Sequence, residues 1–291
     1  MALVDSETTV VPLISGFEAA RWISARLRSE ETWEGSWDLG RGTVPIEATA
    51  AGVIAPGGAP VGWEALEHLA RHPHRCAVVH TDGSLSTLHH QSPETRRQCN
   101  LWAIEQGAPT LMLAGFPMHR TKDTDPWTDT LAKIAAAGPI HGDVLDTTMG
   151  LGYTAIAAAR TARSVRTIEF DPGVLAIAKA NPWSRDLFDN PRIHVQQGDA
   201  AIVCTELASG SLDVILHDPP TIQLAGGLYA ETFYAELHRL LRPRGRLFHY
   251  VGNPGSRQGA TLTRGVVRRL HHAGFRSVRV DPAAFGVVAA K

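Results

Sequence analysis

The chain is poor in cysteine, in long apolar runs and in net charge. Its 291 residues include only three cysteines. Cys76, Cys99 and Cys204 lie far apart, and none belongs to a C-x-x-C pair. Neither a disulfide framework nor a zinc cluster is indicated, so we expect reduced packing residues and no metal. No apolar stretch approaches the roughly 18 residues that span a membrane, which argues against a membrane protein.

The N-terminal sequence indicates the cellular location, and the charge balance bears on nucleic-acid binding. The N-terminus, M-A-L-V-D-S-E, lacks the basic start and apolar core of a signal peptide, so the expected location is the cytoplasm. With 28 basic and 29 acidic residues, the net charge of −1 attracts nucleic-acid phosphates weakly. Arginines crowd the C-terminal third, where they are more typical of solvated faces than of a nucleic-acid site. They are Arg242, Arg244, Arg246, Arg257, Arg264, Arg268 and Arg269.

The N-terminal part has the pattern of a small strand-rich unit. Apolar residues at helical spacing predict an amphipathic helix over 16–29. Over residues 33–106, short apolar pieces alternate with turn sequences such as G-R-G and T-D-G, which is typical of short strands. We expect a helix at Trp63–Ala70 and a last strand over 110–116. With 44% hydrophobic residues, the chain can form two units, predicted at 1–118 and 119–291.

The C-terminal part alternates strand and helix signals in the manner of βαβ units, so we predict an α/β fold with helices on both faces of a Rossmann-like sheet. The predicted strands are 144–146, 165–169, 193–196, 212–217 and 247–251, and the predicted helices are 153–162, 172–180, 228–241 and 260–273. The tail, 277–290, should add two antiparallel strands.

The most informative segment is G-D-V-L-D-T-T-M-G-L-G-Y-T, from Gly142, followed by T-I-E-F-D-P. It predicts a buried strand ending in Asp146, a loop in which Gly150 and Gly152 let the backbone approach a ligand, a helix, and a strand ending in Glu169. The third glycine of the dinucleotide fingerprint is missing. Because Asp146 would repel a pyrophosphate, the pattern favours an adenosine cofactor without phosphates.

From Asp143 onward the chain resembles the class I S-adenosyl-L-methionine (SAM) methyltransferases. The resemblance implies that Glu169 binds the ribose, that Asp199 in Q-Q-G-D-A binds the adenine amine, and that the reaction centre follows the fourth strand. Asp171 and Asp199 also fit simple helix caps. The cofactor-binding residues it implies are Asp146, Thr147, Gly150, Gly152, Tyr153, Glu169, Phe170, Gly198, Asp199 and Asp218.

Further motifs extend the resemblance nearly end to end, to a group of predicted SAM methyltransferases prominent in archaea. The motifs are S-W-D-L-G, P-T-L-M-L-A-G-F-P-M-H-R, N-P-W-S-R-D-L, H-D-P-P, L-Y-A-E-T-F-Y-A-E-L and L-F-H-Y-V-G-N-P-G. Fold alone does not identify the substrate, which has to be argued from the site.

H-D-P-P, from His217 to Pro220, occupies the place of the family's reaction centre. Methyltransferases of bases carry an aromatic residue after the two prolines, and here Thr221 stands instead, which argues against nucleobase methylation. Asp218 can orient an amino group and accept its proton. The expected catalytic residues are Asp218, His119 and Tyr229. His217 is expected to be a packed core residue, whereas the pocket wall is expected from His119, Arg120, Tyr229, His249 and Tyr250.

Three functions remain open from the sequence. The first is methyl transfer from SAM to a small molecule. The second is intramolecular cyclisation of SAM or a related alkyl transfer from it, as in the azetidine-2-carboxylate synthases that resemble SAM methyltransferases. There the α-amine attacks the γ-carbon of the methionine chain, and ring closure releases methylthioadenosine. For this alternative, His119 and Arg120 would fix a carboxylate, and aromatic residues would hold the sulfonium; they are Trp127, Tyr153, Tyr229 and Tyr250. The third is an RNA methyltransferase or a SAM-binding protein without catalysis. The oligomeric state does not follow from the sequence.

Overall fold

A seven-stranded sheet forms the C-terminal part of the protein. The computed structural model describes residues 11–30 and 32–291, so the N-terminal heptapeptide used above lies outside the described residues. Five neighbouring strands are mutually parallel, the sixth in spatial order is antiparallel to them, and the seventh, at the edge, is antiparallel to the sixth. In chain order they are β12 (Asp143–Asp146), β13 (Ser164–Glu169), β14 (Ile193–Gln197), β15 (Leu212–His217), β16 (Leu241–Tyr250), β17 (Ser277–Asp281) and β18 (Gly286–Ala290). Their spatial order is β14-β13-β12-β15-β16-β18-β17.

This arrangement confirms the predicted α/β fold and its antiparallel end. The chain order reverses between β12 and β15, and the carboxyl ends of both strands meet at this switch point, where open sheets bind ligands. The predicted strand over 247–251 is longer in the structure, because β16 begins at Leu241. Its first residues pair with β15 across an irregular register between Leu212 and Val214.

Helices cover both faces of the sheet, as predicted. They are α3 (Pro126–Ala137), α4 (Tyr153–Ala159), α5 (Pro172–Ala180), α6 (Arg185–Asp189), α7 (Ala200–Glu206), α8 (Ile222–Ala225), α9 (Glu231–Leu240) and α10 (Arg257–His272). The helix expected over 228–241 begins later, at Glu231, because Gly226–Tyr229 forms a 3-10 turn instead. A second 3-10 turn, Pro182–Ser184, precedes α6.

Helix α3 is not among the helices predicted from the sequence. Asp125 caps the helix by accepting hydrogen bonds from the N–H groups of Trp127 and Thr128, and Pro126 occupies its first turn. Its buried face is largely polar and includes Asp129 and Lys133.

The N-terminal part is strand-rich, as predicted, and within the described residues before 118 it contains two helices. Its strands are β1 (Leu13–Ser15), β2 (Trp33–Gly35), β3 (Val44–Ile46), β4 (Gly52–Ile54), β5 (Pro60–Gly62), β6 (Cys76–Val79), β7 (Leu85–Thr87), β8 (His89–Gln91), β9 (Gln98–Trp102), β10 (Thr110–Leu113) and β11 (Phe116–Pro117), and its helices are α1 (Gly16–Leu27) and α2 (Trp63–Ala70). The single strand predicted over 110–116 is wrong. Ala114 and Gly115 both adopt positive φ and turn the chain into a hairpin that pairs β10 with β11.

Three apolar clusters stabilise this arrangement. One is N-terminal and surrounds Trp22 and Leu66, and another lies under α7, α9 and α10. The third contains both Leu111 of β10 and Val144 of β12, so packing continues across residue 118. The division into units at 118/119 stays a prediction. The cysteines are free and buried, as expected, and none of the described helices is long and apolar enough to cross a membrane.

Candidate active site

A cavity of about 400 Å³ opens at the carboxyl ends of β12, β13, β14 and β15. This is within the usual size range of small-molecule sites. Residues of β10, of the β11–α3 connection and of 218–228 complete its wall. Of the residues predicted from sequence, it brings together His119, Thr147, Gly150, Tyr153, Glu169, Phe170, Gly198, Asp199 and Asp218.

The glycine loop forms one side of the cavity. Gly150 and Gly152 have φ of +55° and +77°, a left-handed conformation that glycine adopts without strain. A Cβ on Gly150 would meet open space within 4 Å, whereas one on Gly152 would lie 2.5 Å from Leu187. Gly150 therefore faces the cavity, and Gly152 permits close packing of α4 against α6.

Glu169 closes β13 and is held by backbone donors. Its Oε2 accepts the N–H of Gly150 at 2.9 Å and its Oε1 accepts the N–H of Asp171 at 2.9 Å. Burial raises the pKa of Glu169 to about 7, although both N–H groups oppose that rise. The carboxyl is thus fixed in place at the cavity wall, where its remaining lone pairs can accept hydroxyl groups.

Asp146 lies beneath the loop and outside the cavity lining. It is fully buried, and its Oδ2 accepts hydrogen bonds from Thr154 at 3.1 Å and Thr167 at 2.8 Å. Its Oδ1 has no hydrogen-bond partner among the described residues. Burial raises the pKa of Asp146 to about 7, against the opposing effect of both threonine hydroxyls. An unpartnered buried carboxylate oxygen is costly. The cavity lining does not include Asp146, so its contact with a cofactor stays a prediction.

Asp171 and Asp199 are helix caps that also line the cavity. Asp171 accepts the N–H of Gly173 at 2.8 Å, and Asp199 accepts the N–H of Ala201 at 2.8 Å. Asp171 also accepts the hydroxyl of Thr95 at 2.6 Å. The capping interpretation is therefore confirmed for both, and it leaves the free oxygen of Asp199 available at the cavity.

The other end of the cavity lies beyond β15, on the far side of β12 from β13 and Glu169, and is built around Asp218. Its Oδ2 lies 2.6 Å from Nζ of Lys133, a buried lysine that also lies 3.0 Å from Asp129 Oδ2. Arg120 donates to Asp129 Oδ1 at 2.8 Å, and the Lys133 ammonium lies 4.3 Å from the centre of the Tyr250 ring. Burial raises the pKa of Asp218, while the Lys133 ammonium lowers it.

His119 lines the cavity beside Tyr153, with the two ring centres 5.3 Å apart. Its Nδ1 lies 2.9 Å from the hydroxyl of Thr110. Burial, assisted by nearby Lys133, lowers the pKa of His119 to about 3, so the ring is neutral near pH 7. A neutral imidazole donates one hydrogen bond and accepts another, but it cannot neutralise a ligand carboxylate.

Two further histidines, His217 and His249, are neighbours on β15 and β16 and are fully buried. His217 donates from Nε2 to the carbonyl of Leu228 at 3.0 Å, so its Nδ1 accepts the hydroxyl of Thr147 at 2.7 Å. Burial lowers its pKa to about 3. The prediction of a packed His217 is confirmed. The pocket-wall prediction for His249 is wrong, because its ring is enclosed in the core and bonds the Tyr234 hydroxyl at 2.9 Å.

Several other predicted site residues lie outside the cavity lining. Tyr229 is buried, and its hydroxyl donates to the Pro220 carbonyl at 3.0 Å. The guanidinium of Arg120 is engaged by Asp129 and stacks on Phe285 at 3.7 Å, so it does not meet a ligand carboxylate in the cavity. Trp127, Tyr250 and Gly152 are also absent from the lining.

Lys133, Asp129 and Arg97 were missed from the sequence. Arg97 precedes β9 and contributes a cationic side chain to the lining. An i, i+4 pair of Asp129 and Lys133 after the D-P helix start was a usable signal for the buried pair. No local pattern identified Arg97.

Comparison with known proteins supports the architecture. Residues 145–249 match a family model described as a methyltransferase domain. The chain is 50% identical over 185 residues to an uncharacterized protein of Methanocaldococcus jannaschii, covering 63% of this chain and 64% of that protein. It is 31% identical over 176 residues to polyamine aminopropyltransferase 2 of Streptomyces coelicolor, covering 58% of this chain and 31% of that protein. The chain thus spans less than two thirds of either relative.

Solved structures agree on the fold. A spermidine synthase in complex with a transition-state analogue superposes with a TM-score of 0.58 at 15% identity, covering 72% of this chain and 77% of that one. Spermidine synthase from Thermotoga maritima gives a TM-score of 0.55 at 16% identity, covering 70% and 71%. The Rossmann-like sheet of the SAM methyltransferases and spermidine synthases is therefore the fold of this chain.

Proposed function

We propose that the protein is a SAM-dependent transferase in which Asp218 orients a small-molecule amine toward a carbon of the sulfonium. The observation that carries this proposal is a single cavity with the glycine loop and Glu169 at one end and Asp218 at the other. SAM would span the two ends. Glu169 would accept hydrogen bonds from the ribose hydroxyls, and Asp199 would accept one from the adenine amine. Asp146, buried beneath the glycine loop, would act on the positively charged methionine part through its charge.

The chemistry needs little more than alignment and charge control. The amine donates an N–H to Asp218 and directs its lone pair at the carbon. The new C–N bond forms as the C–S bond breaks, and the surplus proton of the ammonium product passes to Asp218. Burial lowers the pKa of His119 to about 3, so its neutral ring adds no positive charge beside the sulfonium. Methyl transfer is the first candidate reaction, and its nucleoside product is S-adenosylhomocysteine.

The second candidate is use of the three-carbon chain of the cofactor. It is favoured by the relatives named polyamine aminopropyltransferases, whose names specify transfer of a three-carbon amine. In one route the methionine-derived chain of SAM is transferred to a separate amine. In the other, the α-amine of SAM attacks its own γ-carbon and gives azetidine-2-carboxylate. Both routes release methylthioadenosine.

Mass spectrometry of the nucleoside product separates these reactions. The pure protein is incubated with SAM alone and with SAM plus a panel of small amines, and Asp218→Asn serves as the control. S-adenosylhomocysteine identifies methyl transfer, and methylthioadenosine formed from SAM alone identifies ring closure. Calorimetry supplies the prior test: heat with a nicotinamide dinucleotide but none with SAM or S-adenosylhomocysteine would overturn the proposal.

A further inference from the structure

Lys133 is an ionised side chain in an unusual place. Its side chain is 2% exposed, and it lies on α3, before the first strand of the sheet that carries Asp218. Burying an ammonium group costs several kcal/mol unless it is paired with good geometry. The pairing here is extensive, since both Asp129 and Asp218 lie within 3.0 Å of Nζ and the Tyr250 ring covers a third side.

If Lys133 only stabilised the fold, its ion pair with Asp129 would be enough to compensate its buried charge. Asp129 lies one helical turn away on α3, is fully buried, and has Arg120 as a second cation. The shorter contact of Lys133, however, is to Asp218, at 2.6 Å against 3.0 Å for Asp129. The lysine therefore reaches across from its own helix to the carboxylate at the cavity.

The contact uses only one oxygen of Asp218. Lys133 engages Oδ2, and no donor among the described residues is hydrogen-bonded to Oδ1. The Asp218 side chain is 17% exposed, at a position that lines the cavity. The carboxylate is thus anchored on one side and open to a ligand on the other.

We propose that Lys133 is a positioning residue that fixes the rotamer of Asp218 and keeps its carboxylate ionised for the amine substrate, an inference that rests on the proposed function. Without the ammonium, burial would favour the neutral acid, which cannot accept a proton. The ionisable groups around Asp218 come from α3, β12, β16, the β11–α3 connection and the segment before α9. They are Lys133, Asp129, Asp146, Tyr250, Arg120 and Tyr229.

The test measures the ionisation of Asp218 directly. Aspartate labelled with carbon-13 at its carboxyl group is incorporated, and the Asp218 signal is assigned by its loss in Asp218→Asn. In Lys133→Met, the midpoint of this signal should rise by at least about one pH unit relative to wild type, because the neighbouring cation is gone. Lys179→Met, which removes an exposed lysine of α5, should leave it unchanged. An unchanged midpoint in folded Lys133→Met overturns the inference.

Kinetics gives a second readout. In Lys133→Met, kcat at pH 7 should fall by at least about tenfold, with the KM for SAM changed by less than about threefold. In the pH profile of kcat, the acidic limb of Lys133→Met should move to higher pH, so that activity recovers as Asp218 ionises. Lys133→Arg should retain more activity than Lys133→Met, because it keeps the positive charge. A purely structural lysine would lower folded content without moving the limb.

A second variant and the titration without substrate separate failure of the Lys133 inference from failure of the proposed function. If Lys133→Met does not fold, the double variant Lys133→Met with Asp129→Asn removes both charges of the α3 pair. The midpoint should still rise, but by less, because loss of the Asp129 charge offsets part of the effect of losing the ammonium. The titration needs no turnover, so a shifted midpoint in a protein that neither binds nor consumes SAM refutes the proposed function while the Lys133–Asp218 coupling stands. Turnover of SAM with an unshifted midpoint refutes the role of Lys133 alone.

Discussion

The two ends of the cavity hold their carboxylates by different means. Glu169 is held by backbone N–H groups of its own loop and of the next helix start. Asp218 is held by the ammonium of Lys133, on a helix that enters the fold before the sheet begins. Backbone donors fix position with partial charges, whereas a full cation also sets the charge state. This contrast suggests a binding end and a reacting end.

The largest expected effect is at the reacting end. Asp218→Asn keeps the size of the side chain but removes the proton acceptor, so turnover should fall by about 10²–10⁴-fold. Affinity for SAM, measured by calorimetry, should stay within about threefold, because this carboxylate faces the substrate and not the adenosine. An equal loss of SAM affinity in Asp218→Asn and Glu169→Ala would erase the distinction between the ends.

The next effect concerns Asp146 and pH. Its pKa of about 7 in the fold exceeds the ordinary value of 3.8, so between these values the native state holds a proton that the unfolded state has lost. Stability therefore falls as pH rises through this window, by roughly 1.4 kcal/mol per pH unit.

Urea unfolding at pH 5 and pH 7 measures this contribution. From pH 5 to pH 7, the free energy of unfolding of Asp146→Asn should rise by roughly 2–3 kcal/mol relative to that of wild type, because the variant lacks the titrating group. Asp143→Asn is the matched control. Arg163 holds the pKa of Asp143 below its ordinary value, so that carboxylate does not titrate in this window. The same gain in both variants would contradict the assignment to Asp146.

A third effect concerns the binding end. Glu169→Ala should weaken SAM binding by about 1–3 kcal/mol, the usual cost of losing a buried or charged hydrogen bond. Glu206→Ala, on the far end of α7, is a suitable control. If the two variants bind SAM equally well in calorimetry, Glu169 does not contact the ribose.

The smallest effect separates capping from cofactor binding at Asp199. Asp199→Ala removes the cap of α7 and should lower the free energy of unfolding by about 1 kcal/mol. Asp199→Ser restores a capping hydroxyl, so it should recover stability. If SAM affinity also recovers fully in the serine variant, the carboxylate acts as a cap and has no contact with adenine.

Sequence alone predicted the sheet and placed the glycine loop and Glu169 at one cavity wall, for a physical reason. Strands β12 and β15 contain short apolar runs, 144–145 and 214–216, that end in polar residues, and the glycine loop lies directly between a strand and a helix, so the information is local. The reacting end was predicted less well. Helix α3 buries Asp129 and Lys133 while Leu131 is exposed, so hydrophobic periodicity did not indicate it. The partner of Asp218 is distant in sequence, and no local pattern specifies such a contact.

The four charges behind the reacting end sum to zero: Arg120 and Lys133 against Asp129 and Asp218. Replacing one of the four by a neutral residue leaves an uncompensated charge in a largely buried site, which destabilises the protein. Replacing a residue of the opposite charge as well removes that destabilisation. We therefore expect charged residues of this cluster to be replaced in pairs, one of each sign, during evolution. Among descendants of a common ancestor, loss of the lysine should accompany loss of an aspartate, and such paired replacements would mark lineages whose chemistry has changed.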